Sequence, residues 1–551
     1  MSIPYNSLPS YSELFIKYTD DFESLADFYE FDFKKTEDFQ KCIELKKETY
    51  LKGKTFFRNE VTDILKEQNK KFESSEKTFE NIQLLNDHNT FAVVTGQQIG
   101  ILTGPYYTIP KALNTIQLSD KLKENFPEYN FVPVFWLEAD DHDFAEINNI
   151  DIISKENELK NLKYFENGEE QEKYLKPVGK IIIDEHIESF KQDLRNSFNH
   201  SDFTDSLFDL INETYKEGTD LKTAFALFMN KLIKDKGLIF IDPTDNEIKK
   251  LLQPVFEKEL ATFPEICEKV INTSVELEEN FAVQVKPKAI NLFYIHEGNR
   301  YLIEPRENDI FALKHSRQKF TKEELFGLLE SNPERFSWNV VTRPICQDYL
   351  LPTVAYIGGP SEIAYFGQFR QVYRSFDITM PVIYPRTSVT ILENRVISFM
   401  EKYNIGFQEF FNEKEIGIKL LNENSDASAD QIFSDMKEEI RGIFYTYEKE
   451  LVNIDAKQTE GFSKRNNQFL ESLDVAKDKF INSQSKQNEV ISNQLSKALL
   501  FVYPDNILQE RVLNITYFLN KYGTEFINYL FGEIVIDDYG HQVIEVPMNR
   551  N

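Results

Sequence analysis

Five short runs in this chain are apolar almost without interruption: "FAVVTG" (91–96), "FVPVFWLEADD" (131–141), "LIFIDPTD" (238–245), "TVAYIGGPSE" (353–362) and "MPVIYPR" (380–386). Each is rich in Val, Ile, Phe or Tyr and stops at Gly, Pro, Asp or Arg. A strand with one wet face alternates apolar and polar residues. A strand covered on both faces does not, and such burial is the habit of parallel sheets sandwiched by helices. The first four runs lead into helical periodicity. After the first, Ile109, Ala112, Leu113 and Ile116 recur at helical spacing. After the third, Thr244 and Glu247 form a candidate capping box, and after the fourth Ser361 is a candidate N-cap. Strand, polar loop and helix in repetition predict an α/β fold with an open, doubly wound parallel sheet.

At 551 residues the chain is too long for one ordinary core, so more than one domain is expected. The runs are unevenly spaced, which places inserted lobes at about 151–236 and 265–340 within a core spanning 1–386. The first lobe holds "GKIIIDEHI" and a helix predicted from Asp220 to Lys236, closed by Gly237. The second holds two β-type runs around Glu297-Gly298-Asn299, which read as a hairpin. Between Pro385 and Pro504 there is no proline, and apolar residues step by three and four: Phe433, Met436, Ile440, Ile443, Tyr447, then Phe469, Leu473, Ala476, Phe480. That spacing predicts long helices packed as a coiled coil over 387–505, with a break at 422–430. The tail, 506–551, returns to strand-like "EIVIDDYGHQVIEVP" (533–547), read as a final hairpin packing back on the other domains.

In a doubly wound sheet, ligands bind beyond the carboxyl ends of the strands. Three stretches load those ends with chemistry. The first is "TGQQIGILTG", whose Gly96, Gly100 and Gly104 match neither the P-loop nor the dinucleotide fingerprint. Lys111 lies too far along to be a P-loop lysine. Gln97 and Gln98 each offer a donor and an acceptor, suited to a neutral or zwitterionic amino-acid or sugar ligand as well as to a phosphate; the alternative is a turn that only lets strand and helix pack. The second is "EADDHDFAEIN", where Glu138, Asp140, Asp141 and Asp143 flank His142. A neighbouring carboxylate can fix a histidine tautomer for general-base work. The spacing matches no standard metal site, and a solvated acidic loop is the plain alternative. The third is "GGPSEIAYFGQ", with Gly358, Gly359, Glu362 and Tyr365 at a helix start suited to an anion. Arg343 and Arg386 sit near strand boundaries and could grip carboxylates or phosphates. The remaining histidines stand alone and read as structural, and Cys346 has no base that sequence can place beside it.

The formal charge of −28 argues against non-specific nucleic-acid binding. The three cysteines, Cys42, Cys267 and Cys346, are odd in number and widely spaced, so no disulfide framework is expected. The N-terminus lacks a signal-peptide layout, and no apolar run nears the roughly 20 residues that span a bilayer. A cytoplasmic setting is expected.

Taken in order, "TGQQIGILTGPYYTIPKA", "PVFWLEADDHDFAEIN", "GGPSEIAYFGQ" and "MPVIYPR" resemble the motifs of the BshC family, the cysteine-adding enzymes of bacillithiol synthesis. The similarity covers nearly the whole chain. It implies a Rossmann-like core with two connecting-peptide insertions and a C-terminal coiled-coil domain through which two copies pair. It also implies an activity: a ligase joining cysteine to the glucosamine amine of glucosaminyl-malate by an amide bond. On matching positions, the expected catalytic residues are His142, Asp141 and Asp143. The expected substrate contacts are Thr95, Gly96, Gln97, Gln98, Gly100, Gly104, Lys111, Asp140, Arg343, Gly358, Gly359, Glu362, Tyr365 and Arg386. Amide formation needs an activated acyl group. ATP or another acyl-activating nucleotide would supply one, yet the HIGH and KMSKS signatures and a clustered Cys/His zinc site are missing. The competing readings are another Rossmann-fold nucleotidyl- or acyl-transferase, and a non-catalytic coiled-coil scaffold.

Overall fold

In the computed structural model, which describes residues 1–51, 56–164, 176–422, 429–485 and 489–546, the five apolar runs are neighbours in one sheet. They form β1 (Thr90–Gln98), β2 (Asn130–Glu138), β3 (Ile239–Ile241), β4 (Thr353–Gly358) and β5 (Val382–Pro385). The order across the sheet is β5-β4-β1-β2-β3, and every pairing is parallel. Continuous apolarity has the cause inferred for it: Ala92, Val93 and Val94 of β1 are all fully buried, although their side chains point to alternate faces. Pro133 sits inside β2, where a missing N–H is normally excluded. It is tolerated because β3 engages only Val134–Trp136, so Pro133 lies where β2 is bordered on one side.

Helix α1 (Thr108–Asn125) buries Ile109, Ala112, Leu113 and Ile116, the row predicted for it. Helix α2 (Asn246–Leu251) is capped differently from the expectation. Asp245 accepts from the Glu247 N–H, while the Thr244 hydroxyl donates to Asp242, so no Thr244–Glu247 box forms. Helix α3 (Pro360–Phe366) starts before Ser361. Pro360 is preset for the first helical position, and Glu362 reaches back to accept the Gly359 N–H at 2.8 Å. The helix expected over Asp220–Lys236 spans Leu221–Ile233; Asp220 caps it, and it ends early because Lys234 leaves helical geometry.

The predicted hairpin forms from Leu292–His296 and Asn299–Pro305, with His296 opposite Asn299. Its two turn residues, Glu297 and Gly298, both have positive φ, as a two-residue turn matched to strand twist requires. It belongs to a second, antiparallel five-stranded sheet whose edge strand, Phe336–Trp338, pairs with Leu292–His296.

Residues Met1–Thr390 and Glu510–Ile544 form one compact unit, and Ile391–Gln509 make up the body of a second. The hairpin expected within 533–547 is not formed. The strand His541–Glu545 instead pairs with Ser2–Ile3, setting Gln542 opposite Ser2 (residue 547 lies outside the described residues). His541 is fully buried between the hydroxyls of Ser388 and Thr390, and burial pushes its pKa down to about 4. In the second unit, α4 (Ala429–Val452) and α5 (Ala456–Ser485) pack with Phe433 against Phe480 and Phe444 against Phe469. The break expected at 422–430 falls mostly on 423–428, outside the described residues. Ile443 and Tyr447, placed by heptad spacing on the seam, are 54% and 57% exposed. A straight helix drifts against a seven-residue repeat, and the seam passes from their register to Phe444, which meets Phe469.

Glu259 is a buried acid with half its bonding met. One carboxylate oxygen accepts from the Asn291 backbone N–H (2.7 Å) and side-chain amide (3.0 Å); the other has no partner. Burial raises its pKa from the ordinary 4.5 to about 7. The folded-state value lies above the unfolded one, so at pH 4 the group is mostly protonated in both states and contributes little difference. Its opposition to folding grows between about pH 4.5 and 7 and levels off above that. Glu259→Gln is expected to stabilise the protein by up to roughly 3 kcal/mol at pH 8 and by nothing comparable at pH 4. Denaturant melts at the two pH values check this; an equal effect at both would contradict it.

Candidate active site

The chain runs from β1 to β2 and β3 on one side and from β4 to β5 on the other, so strand order reverses between β1 and β4. Open α/β sheets bind ligands at the carboxyl end of that switch point. A cavity of about 340 Å³ lies there. Gly96, Gln97 and Gln98 close it from the end of β1, Trp136 and Glu138 from β2, and Tyr356, Gly359–Glu362 and Tyr365 from β4 and α3. Tyr107 and Lys111 enter from the start of α1, with Arg343, Arg386, Glu146 and Arg511 completing the wall.

Lys111 is a strut. Its ammonium donates to the Gly96 carbonyl (2.8 Å) and the Gln97 amide oxygen (3.1 Å), and it pairs with the Glu362 carboxylate. Three donors meet three acceptors, leaving none for a phosphate. Burial lowers the Lys111 pKa, with Glu362 opposing the shift. Burial alone would raise the pKa of Glu362; Lys111, the Tyr356 hydroxyl at 2.6 Å and the Gly359 N–H hold it below the usual value.

Arg386 is also largely committed. Its two terminal nitrogens make a bidentate pair with Glu510 at 2.6 and 2.7 Å, both groups being buried, and Glu510 further accepts from Ser388 and the Val389 N–H. Only the Arg386 Nε–H has no partner. Arg343 differs: it is 7% exposed, donates to the Gln347 amide oxygen (3.2 Å) and the Tyr365 hydroxyl (2.9 Å), and has no carboxylate partner among the described residues. Arg511 has no hydrogen bond or ion pair of its own among them. Glu138 accepts from two indole N–H groups, Trp136 at 3.2 Å and Trp338 at 3.1 Å. Burial raises its pKa and the neighbouring Asp140 and Asp141 add to that, with Arg343 and the Trp338 hydrogen bond opposing.

The acidic run after β2 lies beside the cavity, with its charge offset from elsewhere. Asp140 is paired with Lys249 in the interior. Asp141 takes Arg300 at 3.1 Å, and Asp143 caps the short helix Phe144–Ile147. The His142 ring stands 3.1 Å from Arg300 and 3.4 Å from Asp141; partial burial and Arg300 lower its pKa. None of Asp140, Asp141, His142 and Asp143 lines the cavity. Among the described residues no group of three or more His, Cys, Asp or Glu side chains could hold a metal ion.

The structure thus brings Gly96, Gln97, Gln98, Lys111, Arg343, Gly359, Glu362, Tyr365 and Arg386 to one cavity and sets the other expected contacts outside it. Thr95 spends its hydroxyl on the Ile357 carbonyl, joining β1 to β4. Gly100 and Gly104 fold the loop after β1 upon itself: a Cβ on Gly100 would sit 3.2 Å from the Gly104 Cα, and Gly104 has φ +65°. That loop faces Asn514, whose amide donates to the Leu102 and Gly104 carbonyls, rather than the cavity. Gly358 accepts the Arg386 N–H with its carbonyl. Sequence reasoning missed Tyr107, Trp136, Tyr356, Glu146 and Arg511 as wall residues, and it gave Glu138, Pro360 and Ser361 no substrate contact. The first four lie in or beside stretches already singled out; Arg511 carried no local signal.

Residues 1–387 match the family described as "Bacillithiol biosynthesis BshC, N-terminal Rossmann-like domain". Residues 389–546 match "Bacillithiol biosynthesis BshC, C-terminal coiled-coil domain". A protein of Chloroherpeton thalassium is 36% identical over 571 residues, covering 99% of each chain. One of Salinibacter ruber is 31% identical over 546 residues, 98% of each. One of Bacillus cytotoxicus is 30% identical over 501 residues, 90% of this chain and 92% of its own. All three are named "Putative cysteine ligase BshC".

Proposed function

The chain belongs to the BshC family of bacillithiol biosynthesis, and on that footing we propose that it is a ligase joining cysteine to the glucosamine amine of glucosaminyl-malate. The observation that carries this reading to particular residues is the cavity at the β1/β4 switch point. Its wall holds cationic groups without acid partners, an acid without a cation, and two glutamines. Cysteine presents an ammonium and a carboxylate; glucosaminyl-malate presents an ammonium, sugar hydroxyls and two carboxylates. Arg343, Arg511 and the Arg386 Nε–H suit the carboxylates. Gln97, Gln98 and the Ser361 hydroxyl suit sugar oxygens. The cysteine carboxyl has to arrive activated, because a free carboxylate does not react with an ammonium. The reading assigns that activation to no residue of this chain.

In cells lacking their own copy, this chain is expected to restore bacillithiol and remove accumulated glucosaminyl-malate. Failure to do either, with folded protein present, would reject the activity. His142→Ala serves as a second arm. On this reading, His142 orders the loop with Arg300 and Asp141, so the thiol should return to within about threefold of wild type. A loss of roughly 10²-fold or more would restore the general-base role expected for His142 with Asp141 and Asp143.

The enzyme is further inferred to work in the cytoplasm as a homodimer. Its three cysteines are unpaired thiols. Ile443, Tyr447, Val475 and Phe469 remain about half exposed or more on α4 and α5, apolar surface that a second copy would cover. Sedimentation of the full chain tests this; a monomer at working concentration would refute it.

A further inference from the structure

The acids facing the cavity differ in how they are satisfied. Glu362 is neutralised by Lys111, and Glu146 is exposed. Glu138 is partly buried and has no cation within ion-pair distance among the described residues. Its two donors are neutral indole N–H groups, against about four lone-pair positions on a carboxylate.

Those indoles are fixed from behind. Trp136 and Trp338 are buried and meet edge to face with centroids 5.6 Å apart. Lys249 lies 3.9 Å from the Trp338 ring centroid and is held there by Asp140 and by the Phe336 carbonyl. Trp338 itself sits on the edge strand of the second sheet. Two elements therefore converge to orient one carboxylate toward the cavity with no cation in direct contact, Arg343 acting on its charge only from beyond ion-pair distance. A partly buried charge without a counter-charge is unfavourable, and a ligand cation relieves it.

Resting on the amide-forming reading above, we propose that Glu138 recognises the primary ammonium group of an amine substrate, with Trp136 and Trp338 as positioning residues. Both substrates of that reaction carry such a group, so the experiment separates them. The full chain is titrated calorimetrically at pH 7 with two pairs of compounds. One pair is L-cysteine and 3-mercaptopropionate; the other is glucosaminyl-malate and its N-acetyl form. Wild type is expected to bind one amine at least about 30-fold more tightly than its counterpart lacking the ammonium. Glu138→Gln, nearly isosteric, should collapse that ratio to below about threefold while leaving the counterpart's affinity unchanged. The pair that collapses names the substrate. Trp338→Phe should lower the same ratio by a smaller factor, again without moving the counterpart, which a general loss of structure would not do. A ratio unchanged in Glu138→Gln overturns the proposal, as does a wild type without preference for the amine. If wild type restores bacillithiol in cells yet shows either result, the recognition idea fails and the ligase reading stands. If it binds no compound and restores no thiol, both fail.

Discussion

Glu510→Ala is expected to destabilise the sheet-bearing unit by about 3–5 kcal/mol, the largest stability effect foreseen for a single substitution here. The carboxylate it removes accepts two bonds from Arg386, one from Ser388 and one from the Val389 N–H, all in the interior. Deleting it leaves a buried guanidinium with no counter-charge, which is far worse than losing the pair as a whole. The double change Arg386→Met with Glu510→Leu should therefore recover a good part of the loss, since neither charge then remains to be desolvated. Chemical denaturation of the single and double variants measures both. A cost below about 1 kcal/mol for Glu510→Ala would place the pair among weak surface bridges and contradict its burial.

Arg343→Gln should leave the fold standing and remove most activity. Arg343 donates to two neutral groups, Gln347 and Tyr365, and Glu362 and Glu138 act on it only from beyond ion-pair distance, so its guanidinium can take a ligand carboxylate directly. Losing a buried cation that pairs with a substrate carboxylate is expected to lower bacillithiol output by roughly 10²-fold. The measurement is thiol content in complemented cells with matched protein levels. Output within threefold of wild type would move carboxylate recognition to Arg511 and the Arg386 Nε–H.

The sheet was readable because strands buried on both faces leave a local trace: a run of apolar residues ended by a turn former. All five runs became neighbouring parallel strands, and Gly96, Glu138, Gly359 and Glu362 at or just past their ends lie on the cavity wall, while the other glycines and acids there do not. Cap assignments failed at the scale of one or two residues. Asp245 outcompeted Thr244, and Pro360 moved the start of α3 ahead of Ser361. The site was half legible for a different reason. Gly96, Gln97 and Glu362 sit where a strand hands over to a helix, so position alone flags them. What each does depends on partners far away in sequence: Lys111 fastens Gly96 to Glu362, Arg300 holds Asp141 beside His142, and Trp338 supports Glu138 across 200 residues. Charge patterns within "EADDHD" suggested a catalytic cluster; only coordinates could show that lysine and arginine from other elements already offset most of it.

Because Glu510 meets Arg386 across 124 residues, the cavity wall cannot be finished until residue 510 has been made. A ribosome delivers β5 and its arginine first, then the entire helical arm, and only afterwards the acid that quiets the guanidinium and the Arg511 that follows. Premature stops or trimming ahead of residue 510 thus release a protein with all five strands of the parallel sheet but without His541–Glu545, and with an unquenched charge at its heart.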